Sequence, residues 1–387
     1  SSIDADVLRK WKVLGANSVT LDARLQYTEI EGTARYVRMM NDLPCQDCGF
    51  PGSLHNGTYK PACRRYTVRV YPLMLPTQAS GRWSTSKPPL VGFPPDCVNP
   101  DCSLPDEHGA DSSTCWSARD VVGPDLGWYW LHWDADAIEA RLSAADAGDV
   151  DDLESFRKGF DVHTIRTCRA FKMPLPPILT KALHEAPECQ AWRESWNPPW
   201  LGSEDRRRHL IKTIGYATQY LISPKGVLQA RDIEKLGLKP QEVVRFASLY
   251  LRSKPTLMAH KRRVWDECAT SGVSYTWYGR RRRLYGDWAS RAKEGWSHRI
   301  SGTVSDYQNQ AIIALTRDFP ECHLVLNTHD GCTLAFPESV PVERVLPVAK
   351  RRVESDITSP TGFTVPITAS WHVVTSDLRR HPVTATG

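Results

Sequence analysis

Two apolar, strand-like runs, far apart in the 387-residue chain, each end at an aspartate. The first run covers residues 128–133 and ends at Asp134, and the second covers residues 323–329 and ends at Asp330. If the fold brings the ends of the two runs together, their terminal carboxylates can hold two divalent cations about 3.5–4 Å apart. Such a pair stabilises both the attacking and the leaving oxygen in phosphoryl transfer. The two aspartates therefore predict a shared sheet and nucleotidyl-transfer chemistry.

The chain between and after these runs supports a mixed fold. Residues 137–300 are mostly helical in pattern, with breaks at the Pro-rich segments 174–177 and 198–199 and near Pro240 and Pro255. Short strand-like runs follow at 324–328, 332–336, 363–368 and 371–375. A sheet whose strands are separated in sequence by a helical block predicts an α+β fold, with the two aspartates meeting on the sheet.

Composition excludes some function classes. The chain is 41% hydrophobic and 24% charged, as expected for a soluble globular protein. No stretch approaches a membrane span and the N-terminus lacks a secretory pattern, so we expect no membrane partner. We expect an intracellular protein of the cytoplasm or nucleoid, or of the host cytoplasm if the protein is viral.

The positions of the basic residues say more about possible partners than the net charge does. The net charge of +5 is too modest to identify a nucleic-acid-binding protein. Basic residues cluster at 206–208, 261–263, 280–283 and 350–352, and aromatic residues are interleaved with them between 265 and 285. This combination suits phosphate and base contacts, whereas a short run of charge taken alone is typical of a solvated surface.

A segment from residue 203 to residue 220 predicts a helix, because it opens with a capping serine and two acids. Four of its residues, spaced by four, form one stripe on that helix: Arg208, Lys212, Tyr216 and Tyr220. The stripe matches a nucleoside triphosphate lying along the helix, with phosphates on Arg208 and Lys212 and the base near Tyr216. The alternative is an ordinary amphipathic helix with its basic residues in water.

Five segments, in order, resemble motifs of family A DNA polymerases, the class of bacterial DNA polymerase I and of related phage or mobile-element replicases. Residues 81–90 resemble G-R-L-S-S-x-x-P-N-L, and residues 134–141 resemble motif A, D-x-S-x-I-E-L-R. Residues 161–164 resemble the D-I-H-T that follows motif A. Residues 207–220 resemble motif B, R-R-x-x-K-x-x-N-F/Y-G-x-x-Y-G, and residues 329–331 resemble motif C, H-D-E.

The resemblance implies a right-hand polymerase fold in four parts. Residues 1–44 are N-terminal helices left from a thumb, and residues 45–150 are the first part of an antiparallel palm sheet with a Cys-rich insertion. Residues 151–295 are α-helical fingers, and residues 296–387 are the second part of the palm. The chain before Arg82 is short for the family's helical thumb, so we expect the thumb to be reduced or missing.

The resemblance implies an enzyme, a DNA-directed DNA polymerase that uses primer-template DNA and deoxynucleoside triphosphates, with replication proteins as further partners. Asp134 and Asp330 would bind two Mg²⁺ ions. Arg208 and Lys212 would hold the triphosphate, and Lys212 would also protonate the leaving group. Glu139 would close the space beside the 2′ position of the sugar and so select deoxynucleotides. The remaining implied contacts are Tyr216 with the incoming sugar and base, Tyr220 with the templating position, Arg82 with the minor groove, and Arg280, Arg281 and His329 with the primer end or template backbone.

The chain departs from the family pattern at several positions. Gly331 replaces the glutamate of motif C, Gly215 and Ala217 replace the residues that flank the motif B aromatic, and Ser301-Gly302 replaces the family's Gln-Gly. These departures keep a second hypothesis open: a polymerase-like protein that binds DNA or recruits replication proteins and synthesises little. An RNA polymerase of the single-subunit phage type is disfavoured by the motif A glutamate. The two acids that bind metal remain.

The cysteine-rich segment has no counterpart in the family pattern. With His55, the following cysteines offer enough ligands for a structural Zn²⁺ site: Cys45, Cys48, Cys63, Cys97 and Cys102. The alternative is that they are small buried thiols and loop residues. Eleven cysteines in an intracellular chain argue for free thiols rather than a disulfide framework.

Other chemically reactive side chains are predicted to be structural. Asp161 and His163 resemble a catalytic dyad, but near the start of a helix they are expected to cap it. The scattered cysteines are predicted to pack in the core: Cys168, Cys189, Cys268, Cys322 and Cys332. Most of the tryptophans fall in helix or strand patterns and are also predicted to be core residues.

Overall fold

The computed structural model describes most of the chain from residue 123 onward. The described residues are 73–75, 84–86, 123–171, 173–184, 186–195, 212, 215, 228, 239–328, 330–375 and 380–382. Several predicted site residues lie outside them: Arg82, Arg208, Tyr216, Tyr220, His329, Cys45, Cys48, Cys63, Cys97 and Cys102. The predictions made for these residues stay predictions.

The described residues form helices and antiparallel strands, as the α+β prediction requires. The helices are α1 (Ile138–Ala147), α2 (Val150–Arg157), α3 (Val162–Phe171), α4 (Gln190–Ser195), α5 (Pro240–Arg252), α6 (Pro255–Ser271), α7 (Trp288–Asp318) and α8 (Val342–Val353). The strands are β1 (Leu73–Leu75), β2 (Ser84–Ser86), β3 (Trp128–Ala135), β4 (Val273–Tyr275), β5 (Arg281–Arg283), β6 (His323–Asn327), β7 (Gly331–Pro337), β8 (Asp356–Thr358), β9 (Thr364–Pro366), β10 (Ala369–Val374) and β11 (Arg380–Pro382). No helix among the described residues is long and apolar enough to cross a membrane.

The chain divides into two compact units. Of the described residues, those within 137–303 and 355–367 form the first unit, and those within 73–136, 304–354 and 368–382 form the second. Helix α7 is continuous through residues 303 and 304, where the chain passes from one unit to the other. The predicted division into palm and fingers stays a prediction.

A five-stranded antiparallel sheet is the centre of the second unit, with strand order β11-β10-β3-β7-β6. Strand β3 lies in the middle of this sheet, and its side chains alternate in burial, so that Tyr129, Leu131 and Trp133 face the core. These residues pack with parts of β7, α7 and α8, including Phe336 and Leu315. Burying each such side chain stabilises the fold by roughly 1.5–3 kcal/mol.

The first unit is mainly helical, and proline starts two of its helices. Pro240 and Pro255 are the first residues of α5 and α6, where a missing N–H costs nothing because that group has no partner within the helix. The breaks predicted near these prolines are confirmed.

Asp161 precedes α3 and accepts hydrogen bonds from the backbone of residue 163 and the hydroxyl of Thr164, so the predicted cap is confirmed. The two hairpins of this unit, β4–β5 and β8–β9, are antiparallel.

Buried ion pairs hold the helices of the first unit together. Asp152 of α2 pairs with Arg166 of α3 and with Lys254, which precedes α6, and all three side chains are buried. Burial would raise the pKa of the Asp152 carboxyl, but the two neighbouring cations lower it to about 2. A carboxylate shared by two cations from different elements ties those elements to one geometry, because each charge is costly to bury alone.

The predicted buried thiols are confirmed. The five cysteines that sequence analysis assigned to the core are all free and buried in the structure: Cys168, Cys189, Cys268, Cys322 and Cys332. Burial raises the pKa of the Cys168 thiol to about 12 and that of Cys322 to about 11. The Cys168 and Cys322 thiols are therefore protonated and unreactive at neutral pH.

The Asp152 cluster makes a testable stability prediction. Asp152→Asn leaves Arg166 and Lys254 as buried cations with a neutral partner, so we expect the free energy of unfolding to fall by about 3–5 kcal/mol at pH 7. Because folding lowers the pKa of Asp152, its contribution is present above pH 4 and is lost as the pH falls toward about 2. The wild type and the variant should therefore converge in stability as the pH falls. Urea denaturation measured across this pH range checks both statements.

The matched control is Glu154→Gln, which removes an acid from the same helix. Glu154 pairs with Lys158 at 2.5 Å, but both side chains are more than half exposed. Exposed pairs contribute little to stability, so this variant should unfold at nearly the wild-type urea concentration. Equal destabilisation by both substitutions would contradict the role given to burial.

Candidate active site

The sheet brings together the two aspartates predicted from the sequence. In the register of β3 with β7, Asp134 lies opposite Gly331, and the N–H of Ala135 donates to the carbonyl oxygen of Asp330 at 2.7 Å. Asp134 is exposed and Asp330 is partly exposed. Two acids separated by about half the chain length thus occupy neighbouring positions at the same end of two paired strands.

The chain on either side of this pair is fixed by hydrogen bonds. After β3, the carboxylate of Asp136 accepts from the hydroxyls of Ser370 at 2.9 Å and Thr368 at 3.2 Å. Before β7, Thr328 donates through both its N–H and its hydroxyl to the carbonyl oxygen of Gly331. These bonds close the turn at Asp330 and anchor the end of β3 to β10, so the two strand ends have defined positions.

Gly331 departs from the family's motif C for a steric reason that the structure reveals. A Cβ at this position would lie 2.6 Å from the carbonyl oxygen of Trp133, 3.0 Å from Thr328 Oγ1 and 3.1 Å from Asp134 Oδ1. The nearest of these atoms is backbone, which cannot move without shifting β3 against β7. A glutamate at position 331 therefore does not fit the present pairing of the two strands, and the Asp134 carboxylate lies next to the space that its side chain would occupy.

The donor set at these strand ends suits a hard cation. Carboxylate oxygens are preferred ligands of Mg²⁺, which usually binds through one or two protein carboxylates and completes its coordination with water and substrate phosphates. Among the described residues, no group of three or more His, Cys, Asp or Glu side chains could hold a metal ion. Asp134 and Asp330 therefore fit a site of the two-carboxylate kind, but not a closed cage made of protein ligands alone.

Glu139 lies in the first turn of α1, in the first unit. Its side chain is 7% exposed, and its Oε1 accepts a hydrogen bond from the hydroxyl of Ser301 at 2.8 Å. The hydroxyl of Ser143 donates to the backbone carbonyl of Glu139 at 2.7 Å. The carboxylate is therefore held in one orientation by a neutral donor. Sequence analysis noted Ser301 as a departure from the family but did not connect it with Glu139.

The other predicted residues within the described part have the following positions. Lys212 and Gly215 are helical, and the side chain of Lys212 is exposed. A Cβ on Gly215 would lie 3.1 Å from the hydroxyl oxygen of Tyr250. Arg280 donates to the carbonyl oxygen of Gly302 at 3.1 Å, and Arg281 is exposed on β5.

Lys261 differs from its expected place in a basic surface cluster. It is 1% exposed, and its ammonium lies 4.9 Å and 5.6 Å from the ring centroids of Trp265 and Trp296. Burial lowers the pKa of this lysine to about 7. It lines a cavity of about 20 Å³, which has room for one water molecule. The signal that sequence analysis missed is its spacing from Val264, Trp265 and Cys268, which places it on the buried face of α6.

The chain resembles known proteins in sequence. No protein-family model matches the chain. The chain is 28% identical over 233 residues to the thermostable DNA polymerase I of Thermus filiformis. The matched region covers 57% of this chain and 24% of that protein. It is 23% identical over 305 residues to the DNA polymerase I of Chloroflexus aurantiacus. This second match covers 76% of this chain and 28% of that protein. The chain is a homologue of family A DNA polymerases. It spans about a quarter of the length of these curated relatives.

A solved structure supports the fold of this family A homologue. The POL domain of Pol1 from M. smegmatis, in complex with DNA primer-template and dNTP, matches with a TM-score of 0.64 and 19% sequence identity. The match covers 96% of this chain and 55% of that one. The predicted polymerase fold of the α+β class is therefore confirmed.

The space around Gly331 makes a prediction about metal binding. Gly331→Ala forces its new Cβ against the Trp133 carbonyl and the Asp134 carboxylate, so we expect a loss of about 1–3 kcal/mol in the free energy of unfolding. Because Asp134 must move, we also expect at least tenfold weaker binding of Mn²⁺, a paramagnetic substitute for Mg²⁺, measured by electron paramagnetic resonance.

Ala335→Gly on the same strand is the control. It removes a Cβ instead of adding one, so it should cost about 0.5–1 kcal/mol and leave Mn²⁺ affinity unchanged. Wild-type Mn²⁺ affinity in Gly331→Ala would show that the close approach of Gly331 and Asp134 is irrelevant to metal binding.

Proposed function

We propose that the chain carries out template-directed DNA synthesis, in which deoxynucleotides are added to the 3′-hydroxyl of a primer. The observation that carries this proposal is the close placement of Asp134 and Asp330: Asp134 lies opposite Gly331, and Asp330 accepts the backbone hydrogen bond of Ala135. It is supported by homology to proteins named DNA polymerase I and by a fold shared with a polymerase domain solved with primer-template DNA and dNTP. Primer-template DNA and deoxynucleoside triphosphates are the proposed partners.

Asp134 and Asp330 would hold two Mg²⁺ ions, which would activate the primer hydroxyl and neutralise the charge of the triphosphate and the departing pyrophosphate. The exposed carboxylate of Asp134 is accessible to ions and substrate at the end of β3. With glycine at position 331, the strand ends present two negative charges rather than three. Fewer carboxylates attract cations less strongly, so we expect synthesis to require more Mg²⁺ than a polymerase with an intact motif C.

The basic residues of motif B would bind the triphosphate. Lys212 is exposed and helical, so its ammonium is available to phosphate oxygens. Arg208 precedes it by four residues, about one helical turn, so the two cations can contact one triphosphate. Lys212 would also donate a proton to the departing pyrophosphate. Tyr216 would stack on the incoming base, and Tyr220 would contact the templating position.

Glu139 would select the sugar. Its side chain is buried and its carboxylate is held by Ser301, so it cannot easily swing away from a bulkier substrate. A ribonucleotide placed against it would meet a steric clash and would bury a badly paired hydroxyl. In this proposal Ser301 acts through Glu139 as a positioning residue.

One observation favours a second candidate function. The close approach of Gly331 to Trp133 and Asp134 excludes the third carboxylate of motif C. A chain with weakened metal affinity would bind primer-template DNA, or recruit replication proteins, while synthesising little. Both candidates require DNA binding, and metal-dependent incorporation distinguishes them.

Primer extension tests the proposed function. The wild type should extend a labelled primer on a DNA template in Mg²⁺, and Asp330→Ala should reduce the rate at least a thousandfold because one metal-binding carboxylate is lost. Glu338→Gln is the matched control, because it removes an exposed acid beyond the opposite end of β7 and should leave the rate unchanged. Absence of extension by the wild type across a wide range of Mg²⁺ and Mn²⁺ concentrations would support the binding-only candidate.

Sugar selectivity tests the roles of Glu139 and Ser301. Glu139→Ala should lower the ratio of kcat/KM for deoxyribonucleotides to that for ribonucleotides at least tenfold, because the 2′ space opens. Ser301→Ala should lower the same ratio severalfold, because the carboxylate loses its donor.

Ser143→Ala is the control for both variants. Its hydroxyl donates to the backbone carbonyl of Glu139 and leaves the carboxylate alone, so the ratio should stay at the wild-type value. An unchanged ratio in Glu139→Ala would remove Glu139 from sugar selection. An unchanged ratio in Ser301→Ala alone would remove only the positioning role.

A further inference from the structure

The β4–β5 hairpin of the first unit presents two faces of different chemistry. Its register pairs Val273 with Arg283, Ser274 with Arg282 and Tyr275 with Arg281. Because side chains alternate along a strand, Tyr275, Arg281 and Arg283 share one face of the hairpin. All three are exposed, whereas Ser274 is buried and Arg282 is partly buried on the opposite face. We call the exposed set of Tyr275, Arg281 and Arg283 the outer hairpin face.

The opposite face is attached to helix α7. The hydroxyl of Ser274 donates to the carbonyl oxygen of Gly295 at 2.8 Å, and Arg282 pairs with Glu294 at 2.8 Å. At the turn of the hairpin, the N–H of Trp277 donates to the hydroxyl of Thr303 at 3.0 Å. These bonds join the hairpin to about three turns of the helix. The outer hairpin face is therefore a rigid surface, although its strands are only three residues long.

Exposed aromatic residues are concentrated in the segment that contains this hairpin and the start of α7. Every tyrosine or tryptophan among the large exposed apolar side chains of the described residues lies between positions 275 and 288. Their exposed fractions are 50% for Tyr275, 42% for Tyr278, 72% for Tyr285 and 46% for Trp288. Leaving four aromatic rings in water within one short segment forgoes the hydrophobic stabilisation that each would gain in the core. Such a concentration marks an interaction site.

The arginines of the outer hairpin face differ from the arginine between them. Arg282 has Glu294 as a partner, but among the described residues no acidic side chain pairs with Arg281 or Arg283. The nearby acid Asp287 is engaged at the start of α7, where it accepts a hydrogen bond from the N–H of Ser290. The two outer guanidinium groups thus keep their positive charge available for an external anion. They are two residues apart on one strand, about 6.6 Å, which suits successive phosphates of an extended strand.

We propose that the outer hairpin face, together with Tyr285 and Trp288, binds an unpaired strand of DNA. Aromatic rings stack on bases of any sequence, and arginines contact the phosphates between them, which is how single strands are held without sequence preference. A duplex keeps its bases inside and would leave the rings without partners. Two arginines without an acidic partner favour a polyanion, and a DNA strand supplies one phosphate at every nucleotide. This inference rests on the proposed function, because the bound DNA strand would be the unpaired part of a template.

Equilibrium binding of a labelled oligothymidylate to the full chain, followed by fluorescence anisotropy without Mg²⁺ or nucleotide, tests this inference. Tyr275→Ala should weaken binding about five- to tenfold because one stacking platform is lost. Tyr275→Phe keeps the ring and should bind like the wild type. Replacing both Arg281 and Arg283 by Gln should reduce the slope of log affinity against log salt by roughly 1.4, from about 0.7 for each phosphate contact.

Arg262→Gln is the matched charge control, because Arg262 is an exposed arginine of the same unit on helix α6. It should change the salt slope by less than the roughly 0.7 expected for one phosphate contact, and it should leave the affinity close to the wild-type value. Circular dichroism and thermal unfolding establish that each variant is folded. The inference is overturned if Tyr275→Ala binds the single strand like the wild type, if it weakens a blunt duplex equally, or if it changes only the oligomeric state in sedimentation.

Synthesis and strand binding can be separated. A chain that binds the oligothymidylate through this face but never extends a primer would contradict the proposed function and keep the inference. A chain that extends primers, but whose single-strand affinity ignores Tyr275, Arg281 and Arg283, would contradict the inference and keep the proposed function.

Discussion

The pairing of β3 with β7 is the interaction on which the rest of the second unit depends. The register that places Asp134 opposite Gly331 also places Leu131 opposite Leu334, and both leucines are completely buried. A slip of one residue would turn the buried side chains of either strand to the other face. It would also separate the two acids from their present neighbours. Core packing and the position of the candidate metal ligands are therefore one constraint, and the free energy that buries the core also brings the carboxylates together.

The same register explains why the glycine of motif C cannot be viewed as an isolated loss. At position 331 the two strands approach so closely that a Cβ would meet the Trp133 carbonyl at 2.6 Å. Regaining a glutamate would require the backbone of β3 or β7 to move, and Asp134 would move with it. The chain thus combines two carboxylates with a strand pair so tight that it leaves no space for a third acid at position 331. Any consequence for metal affinity comes from the packing of the sheet as much as from the missing charge.

The sequence predicted features with a local signal. The strands β3 and β6, which precede the turns near Asp134 and Asp330, had apolar runs, the helices after residues 239 and 254 began with proline, and Asp161 had Thr164 to cap. The β4–β5 hairpin was not predicted, because a strand of three arginines has no apolar alternation and lies inside a helical block. The contact of Ser301 with Glu139 joins residues 162 positions apart, and no periodicity in one sequence encodes it. Lys261 was misplaced because a run of basic residues usually indicates a solvated surface, whereas here helical spacing determined burial.

Some charges of the first unit are buried in ion pairs and others are exposed, and this division reconciles a modest net charge with the polyanionic partner that we propose. Asp152 neutralises two buried cations, and Asp146 lies with His260 at 2.7 Å and with both donor groups of Arg299 at 2.7 and 2.8 Å. Such acids count against the net charge, yet they contribute little to the field outside the protein because each is compensated where it is buried. Arginines without acidic partners on a rigid exposed hairpin act at contact distance, where screening by salt is weakest. The strength of the proposed nucleic-acid binding would then depend on the positions of the exposed cations and of the aromatic rings, and a net charge of +5 would not limit it.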